Sequence, residues 1–137
     1  MSTEENKEIV RRYQEIYNRN DLDALGEVVA EDVITPKIVP GFPSGLEGAK
    51  AVHRLAIAGM TNFYTDIQDL IAEDDKVVAR VVISGIHTGE FFGIPATGKH
   101  VEFTGMYIAR IANGKIVEHW GEEDSVSLLQ QLGVLKL

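Results

Sequence analysis

The hydrophobic period of the chain changes near residue 62, from the spacing of helices to the alternation of strands. Before that point Ile9, Val10, Tyr13, Ile16 and Tyr17 recur on one helix face. Ser2-Thr-Glu-Glu5 ahead of them forms a capping box, whose serine and glutamate side chains can each take an unpaired first-turn amide. The spacing predicts a helix to about Asn18. Asn20 or Asp21 can cap a second, short helix through Val29, and Val33 to Lys37 reads as a short strand. The prolines and glycines between Pro36 and Gly45 exclude regular structure there, and Ser44-Gly-Leu-Glu47 offers a second capping box for a third helix ending near Met60.

From Phe63 onward apolar and polar positions alternate in four runs, Phe63 to Glu73, Lys76 to His87, His100 to Ala112 and Lys115 to Asp124. The first pair is joined at Asp74-Asp75. Val126, Leu128, Leu129 and Leu132 then fit one face of a final helix over Ser125 to Leu132, with Gly133 as its stop. Helices first and antiparallel strands afterwards predict an α+β fold, with helices packed on one face of a curved sheet over a pocket for a small, largely apolar molecule.

The loop Ala112-Asn-Gly114 governs which side chains share a face, because a one-residue change of register moves every side chain across the sheet. A two-residue Asn-Gly turn sets Tyr107 opposite Trp120; a three-residue loop with Gly114 left-handed sets Tyr107 opposite His119. In the second register one face carries Phe103, Gly105, Tyr107, Val117, His119, Gly121 and Glu123, a mix of apolar walls, gaps and titratable groups suited to a ligand pocket. The other face then carries Met106, Ile108, Ile116 and Trp120, too apolar for an exposed sheet face, and a homodimer interface is the expectation.

Composition narrows the function. A chain of 137 residues with 45% apolar and 25% charged residues is expected to form one ordered domain. Its net charge of −8, with no Lys/Arg cluster, argues against nucleic acid and anionic membranes as partners. No apolar run approaches the ~20 residues of a membrane span, and the polar start is unlike a signal peptide, so a cytoplasmic protein is expected. The absence of cysteine excludes disulfides and a thiol nucleophile. His53 and His100 show no ligand spacing, so no metal is expected.

Among candidate chemical groups, His119 and Glu123 flank Gly121, and a histidine beside a carboxylate in an apolar cavity can abstract a proton next to a carbonyl. His87 can hydrogen-bond a ligand carbonyl or pin its own loop to backbone. Tyr13 and Tyr17, one turn apart, can face the cavity mouth or pack in the core. Asp124 precedes the final helix and is placed to cap it.

Two strings, HTGEFFGIPATGK at residues 87–99 and GKIVEHW at 114–120, followed by LLQQLG at 128–133, resemble the SnoaL-like polyketide cyclases of the nuclear-transport-factor-2-like superfamily of cone-shaped α+β domains. The likeness extends over nearly the whole chain. It implies ring closure of an aromatic polyketide ester by an intramolecular aldol reaction, with one aspartate as acid/base and neither metal nor cofactor. Matched through the GKI string, that aspartate falls at Gly121, and its glutamine and histidine partners fall at Gly105 and Tyr107. The resemblance puts positions 105, 107 and 121 on one face and so favours the three-residue loop. Two functions are compatible with it. One is an enzyme in which His119, with Glu123, is acid/base on a ketone or β-keto ester while Tyr107 and His87 orient the carbonyl. The other is a binding or dimerising domain that kept the pocket without the acid.

Overall fold

The computed structural model describes residues 2–36 and 40–136. Helix α1 spans Thr3–Asn18, and both bonds of its capping box form, Glu5 N–H to Ser2 Oγ and Ser2 N–H to Glu5 Oε1, each at 3.1 Å. Its buried stripe is Val10, Tyr13, Gln14 and Ile16. The short second helix is a 3₁₀ turn over Leu22–Glu27, and Asp21 makes no side-chain cap bond to it. Asn20 instead reverses the chain at a left-handed φ of 58°, a conformation that asparagine tolerates better than most residues.

Strand β1 covers Val29–Ile34, four residues ahead of the predicted start, because Val29 pairs in parallel with Ile116 of a strand far along the chain. The predicted end at Lys37 lies outside the described residues. Helix α2, Gly45–Gly59, begins where expected, but Ser44 gives it no side-chain cap bond, so the second capping box does not form. Strand β2 follows without a break at Met60–Glu73, and β3, Lys76–His87, returns from it through Asp74-Asp75. Strands β4, His100–Ala112, and β5, Lys115–Glu123, form the last hairpin. Helix α3, Ser125–Gln131, is capped as predicted, with Ser127 N–H donating to Asp124 Oδ1 at 3.0 Å.

The five strands form one open sheet in the order β1-β5-β4-β3-β2, antiparallel except for the β1–β5 edge. Bulges in β2, between Thr61 and Tyr64 and between Ile67 and Asp69, and another in the β4–β5 ladder bend it. Helices α1 and α2 lie against this sheet, and Val10, Ile16, Leu25, Val77, Val101, Ala109 and Ile116 are sealed between the layers.

The hairpin differs from both predicted registers. Asn113 and Gly114, with φ of 51° and 76°, form a two-residue turn that pairs Ala112 with Lys115, the geometry in which both central residues are left-handed. A bulge at Val117 then shifts the ladder between Arg110 and Ile111, so Tyr107 faces Gly121 and Ala109 faces His119. The three-residue loop is therefore overturned, while its assignment of faces survives from His119 onward, because the extra residue restores the parity that the short turn would have inverted; Val117, expected on the pocket face, sits in the bulge and does not line the cavity. Ile116 lies before the bulge and moves to the core, away from the outer face expected of it. Met106 (56% exposed), Ile108 and Trp120 (47% exposed) stay on that face, and Trp120 Nε1–H donates to Glu118 Oε2 at 3.3 Å.

Candidate functional site

Between the helices and the inner face of the sheet lies a cavity of about 880 Å³, toward the upper end of the ~300–1,000 Å³ common for small-molecule sites. Its walls are mostly apolar, with Val33, Val52, Ala56, Phe63, Ile83 and Phe103 among them. Polar groups gather where α1 meets β4 and β5. The Tyr107 hydroxyl donates to Gln14 Oε1 at 3.1 Å, and the Tyr107 ring stacks on His119 with centroids 4.8 Å apart. Tyr13 packs edge-on to Tyr107 and brings its hydroxyl to 3.5 Å from His119 Nε2. Tyr17 adjoins Tyr13 at 4.9 Å.

Burial governs the protonation of this cluster. It pushes the conjugate acid of His119 down to about 4, and a hydrogen bond to the residue's own backbone opposes that only in part. Nε2 lies beside the Tyr13 hydroxyl, which donates to it in the tautomer that leaves the lone pair on that nitrogen. Burial also raises Tyr13, Tyr17 and Tyr107 above the ordinary phenol range, with neighbouring tyrosines adding to the shift at Tyr13 and Tyr107. At neutral pH the cluster is therefore an uncharged imidazole acceptor among phenol O–H donors.

Gly105 and Gly121 line the same wall. A Cβ on Gly121 would meet nothing nearer than His119 Cε1, at 3.6 Å, so the missing side chain leaves room beside the imidazole. Gly105 is tighter: a Cβ there would lie 3.3 Å from Glu123 Cγ, which places the stem of Glu123 over it. Glu123 and His119 share a face four residues apart, roughly 13 Å along the strand at ~3.3 Å per residue, and Glu123 is exposed where His119 is not. The structure thus separates the expected pair, with His119 inside and Glu123 near the mouth. Glu31, Asp32, Glu122 and Glu123 line the cavity, and no Lys or Arg is among its described lining residues.

His87 does not join the site. It is 0% exposed and lies outside the cavity lining, with Nδ1 2.9 Å from Thr97 Oγ1 and Nε2 3.2 Å from the Ile94 carbonyl. Both nitrogens are spent on its own loop, which corrects the expectation that it contacts a ligand. Phe103, Gly105, Tyr107, His119, Gly121, Glu123, Tyr13 and Tyr17 all line the cavity. Sequence reasoning missed Gln14 and His53, which line it as well. The signal was available: Gln14 falls in the stripe Val10, Tyr13, Tyr17, and His53 in the stripe Leu46, Ala49, Ala56, where a polar residue needs a reason. No group of three or more His, Asp or Glu residues suited to a metal occurs among the described residues, and no described helix is long and apolar enough to cross a membrane.

A family model described as SnoaL-like polyketide cyclase matches residues 7–132. Aklanonic acid methyl ester cyclase DauD of Streptomyces sp. (strain C5) is 27% identical over 131 residues, covering 92% of this chain and 80% of the relative. IdmH from Streptomyces antibioticus is 33% identical, with a TM-score of 0.82 over 94% of this chain and 99% of its own. TsrD from Streptomyces laurentii is 29% identical and superposes with a TM-score of 0.90, covering 98% of this chain and 99% of that one.

Proposed function

The chain belongs to the SnoaL-like polyketide cyclase family, and on that premise we propose that it closes a carbon–carbon bond within a polyketide ester by proton transfer at His119. The observation that carries this reading is the uncharged His119 imidazole set among the Tyr13 and Tyr107 hydroxyls at the inner end of a largely apolar cavity. Nε2 accepts a proton from the carbon between an ester and a ketone, and the electrons of the broken C–H bond become an enolate. As Nε2 takes up the proton it no longer accepts from Tyr13, and the Tyr13 hydroxyl turns to donate to the enolate oxygen, an interaction stronger in the transition state than in the ground state. The enolate carbon attacks a second carbonyl of the same molecule, a C–C bond forms, and the imidazolium returns its proton to the new alkoxide. Product and substrate are isomers, so the cycle consumes no cofactor.

A conjugate acid near 4 makes His119 a weak base, and each unit of mismatch with the carbon acid adds about 1.4 kcal/mol to the transfer. The same dry surroundings strengthen the donors to the enolate. The acidic rim favours a neutral ester over a free carboxylate. Two copies of the chain pair through Met106, Ile108 and Trp120 in this reading.

Gly121 favours a second reading, a binding domain of the same fold, because the position matching the family aspartate carries no acid. Aklanonic acid methyl ester and simple β-keto esters in D₂O distinguish the two. A catalyst exchanges the activated hydrogen for deuterium and yields a ring-closed isomer, with His119→Phe lowering exchange by about 10²–10⁴. Binding without exchange above the rate of that variant leaves the binding domain.

A further inference from the structure

The cavity has a second polar end that the proposed chemistry does not use. His53 on α2 is 3% exposed and lines the cavity, with its ring edge-on to Tyr17 at 4.3 Å and Phe63 at 6.3 Å. Its Nε2 lies 2.9 Å from Asn20 Oδ1. An amide oxygen only accepts, so the proton sits on Nε2 and Nδ1 holds a lone pair. Asn20 is not a cavity residue; it lines an adjacent open hollow with Asn18, Met60 and Phe63. The bond to Asn20 therefore commits Nε2 away from the cavity.

Among the described residues no hydrogen bond engages Nδ1. Asn6 Oδ1 is the single sealed side-chain polar atom without a partner among the described residues, so His53 Nδ1 is not sealed, and His53 lines the cavity. Burial holds the ring below the ordinary histidine range and hence neutral, so the acceptor persists at physiological pH. Tyr17 and Tyr13 link this end to His119, with Tyr13 and His119 centred 5.7 Å apart.

We propose that His53, held in one tautomer by Asn20, is a specificity-determining residue that accepts a hydrogen bond from a hydroxyl on the substrate, remote from the carbon deprotonated at His119. The ligand class is a polycyclic ketone bearing a phenol or enol O–H at the end opposite its reacting ester. This inference deepens the cyclase reading and rests on it. A donor at that end fixes which carbon of a long, mostly apolar molecule lies against His119, a choice that apolar walls make poorly.

The test compares 2-hydroxyanthraquinone with its methyl ether, which keeps the ring system and removes the donor. Calorimetric titration of the wild-type protein is expected to show roughly tenfold tighter binding of the phenol, the worth of one hydrogen bond. His53→Leu should bring the ratio to about one by weakening the phenol alone; a merely structural role would weaken both ligands together. As a readout that needs no variant, the ¹⁵N signal of His53 Nδ1 in the wild-type protein should move upfield with the phenol and stay with the ether. Equal ratios in wild type and variant, or an unmoved Nδ1 signal with phenol bound, overturn the assignment and leave the cavity reading intact. Failure of both ligands to bind the wild-type protein removes the cavity reading and this inference with it.

Discussion

On β4 and β5 the inner face buries Tyr107 against Gln14 and His119, whereas the outer face presents Met106, Ile108 and Trp120 to solvent. An ordinary half-buried sheet is apolar inside and polar outside; here an inner face otherwise apolar through Val101, Phe103, Ala109 and Ile111 admits a polar cluster, and an outer face that also carries Glu102, Thr104 and Arg110 bears three large apolar side chains. The inner face can hold polar groups because they satisfy one another and remain uncharged, so burial costs little more than their lost hydration. Among the described residues no helix covers the outer face, where Met106 and Trp120 stay about half exposed. In the proposed reading a second copy covers these apolar side chains, with the proposed chemistry on the opposite side of the same strands.

The largest way to stress this contrast is acid. The folded-state pKa of His119, about 4, lies below the ordinary value of about 6.5, so between these values the unfolded chain binds a proton that the folded chain refuses. Stability is full above about pH 6.5 and falls as pH drops toward 4, by up to about 3 kcal/mol. Denaturant melts at pH 7 and pH 4.5 should show this slope, and His119→Phe should flatten it; an unchanged slope would mean that the inner face is wetter than its geometry indicates.

Filling the inner face comes next. Gly121→Trp should weaken any cavity ligand by at least a hundredfold, about 2.7 kcal/mol, in a protein that still folds, because the first carbon of the new side chain meets only ordinary contacts. Thermal shift with and without ligand measures both effects. Tyr107→Phe should destabilise by about 1–3 kcal/mol, since Gln14 Oε1 loses its donor in a buried place; a smaller loss in urea unfolding would show water replacing the hydroxyl. On the outer face, Trp120→Glu should change the stability of the single chain by no more than about 0.5 kcal/mol. It should nevertheless shift size-exclusion elution from dimer to monomer and leave ligand affinity alone. A wild-type monomer at every concentration would break the comparison at its outer half.

Much of this was legible in the chain itself. The limits of β3 and β4, the turn at Asp74-Asp75, the box at Ser2 and Glu5 and the cap at Asp124 follow from local chemistry, and all appear in the structure. The candidate site was legible in part. Phe103, Gly105, Tyr107, His119 and Gly121 were grouped on one wall, although through a loop that does not form. For His87 the sequence left a ligand contact and a pin on its own loop both open, and the structure shows the pin; the choice was hidden because the partners that claim its ring, Thr97 and Ile94, lie seven to ten residues on, across a loop whose path the sequence does not reveal.

Alternation, capping and turn propensity act over a few residues, so sequence alone determined the elements and their order. Only the tertiary structure decided the rest. The bulge at Val117 exists because β5 must place Ile116 in the core and His119 in the cavity while pairing with β4 on one side and β1 on the other. The start of β1 depends on that same distant strand, and the neutrality of His119 depends on how completely α1 covers it. Pairing, parity and desolvation are properties of neighbours in space, and a one-dimensional pattern carries them only where those neighbours are also neighbours in sequence.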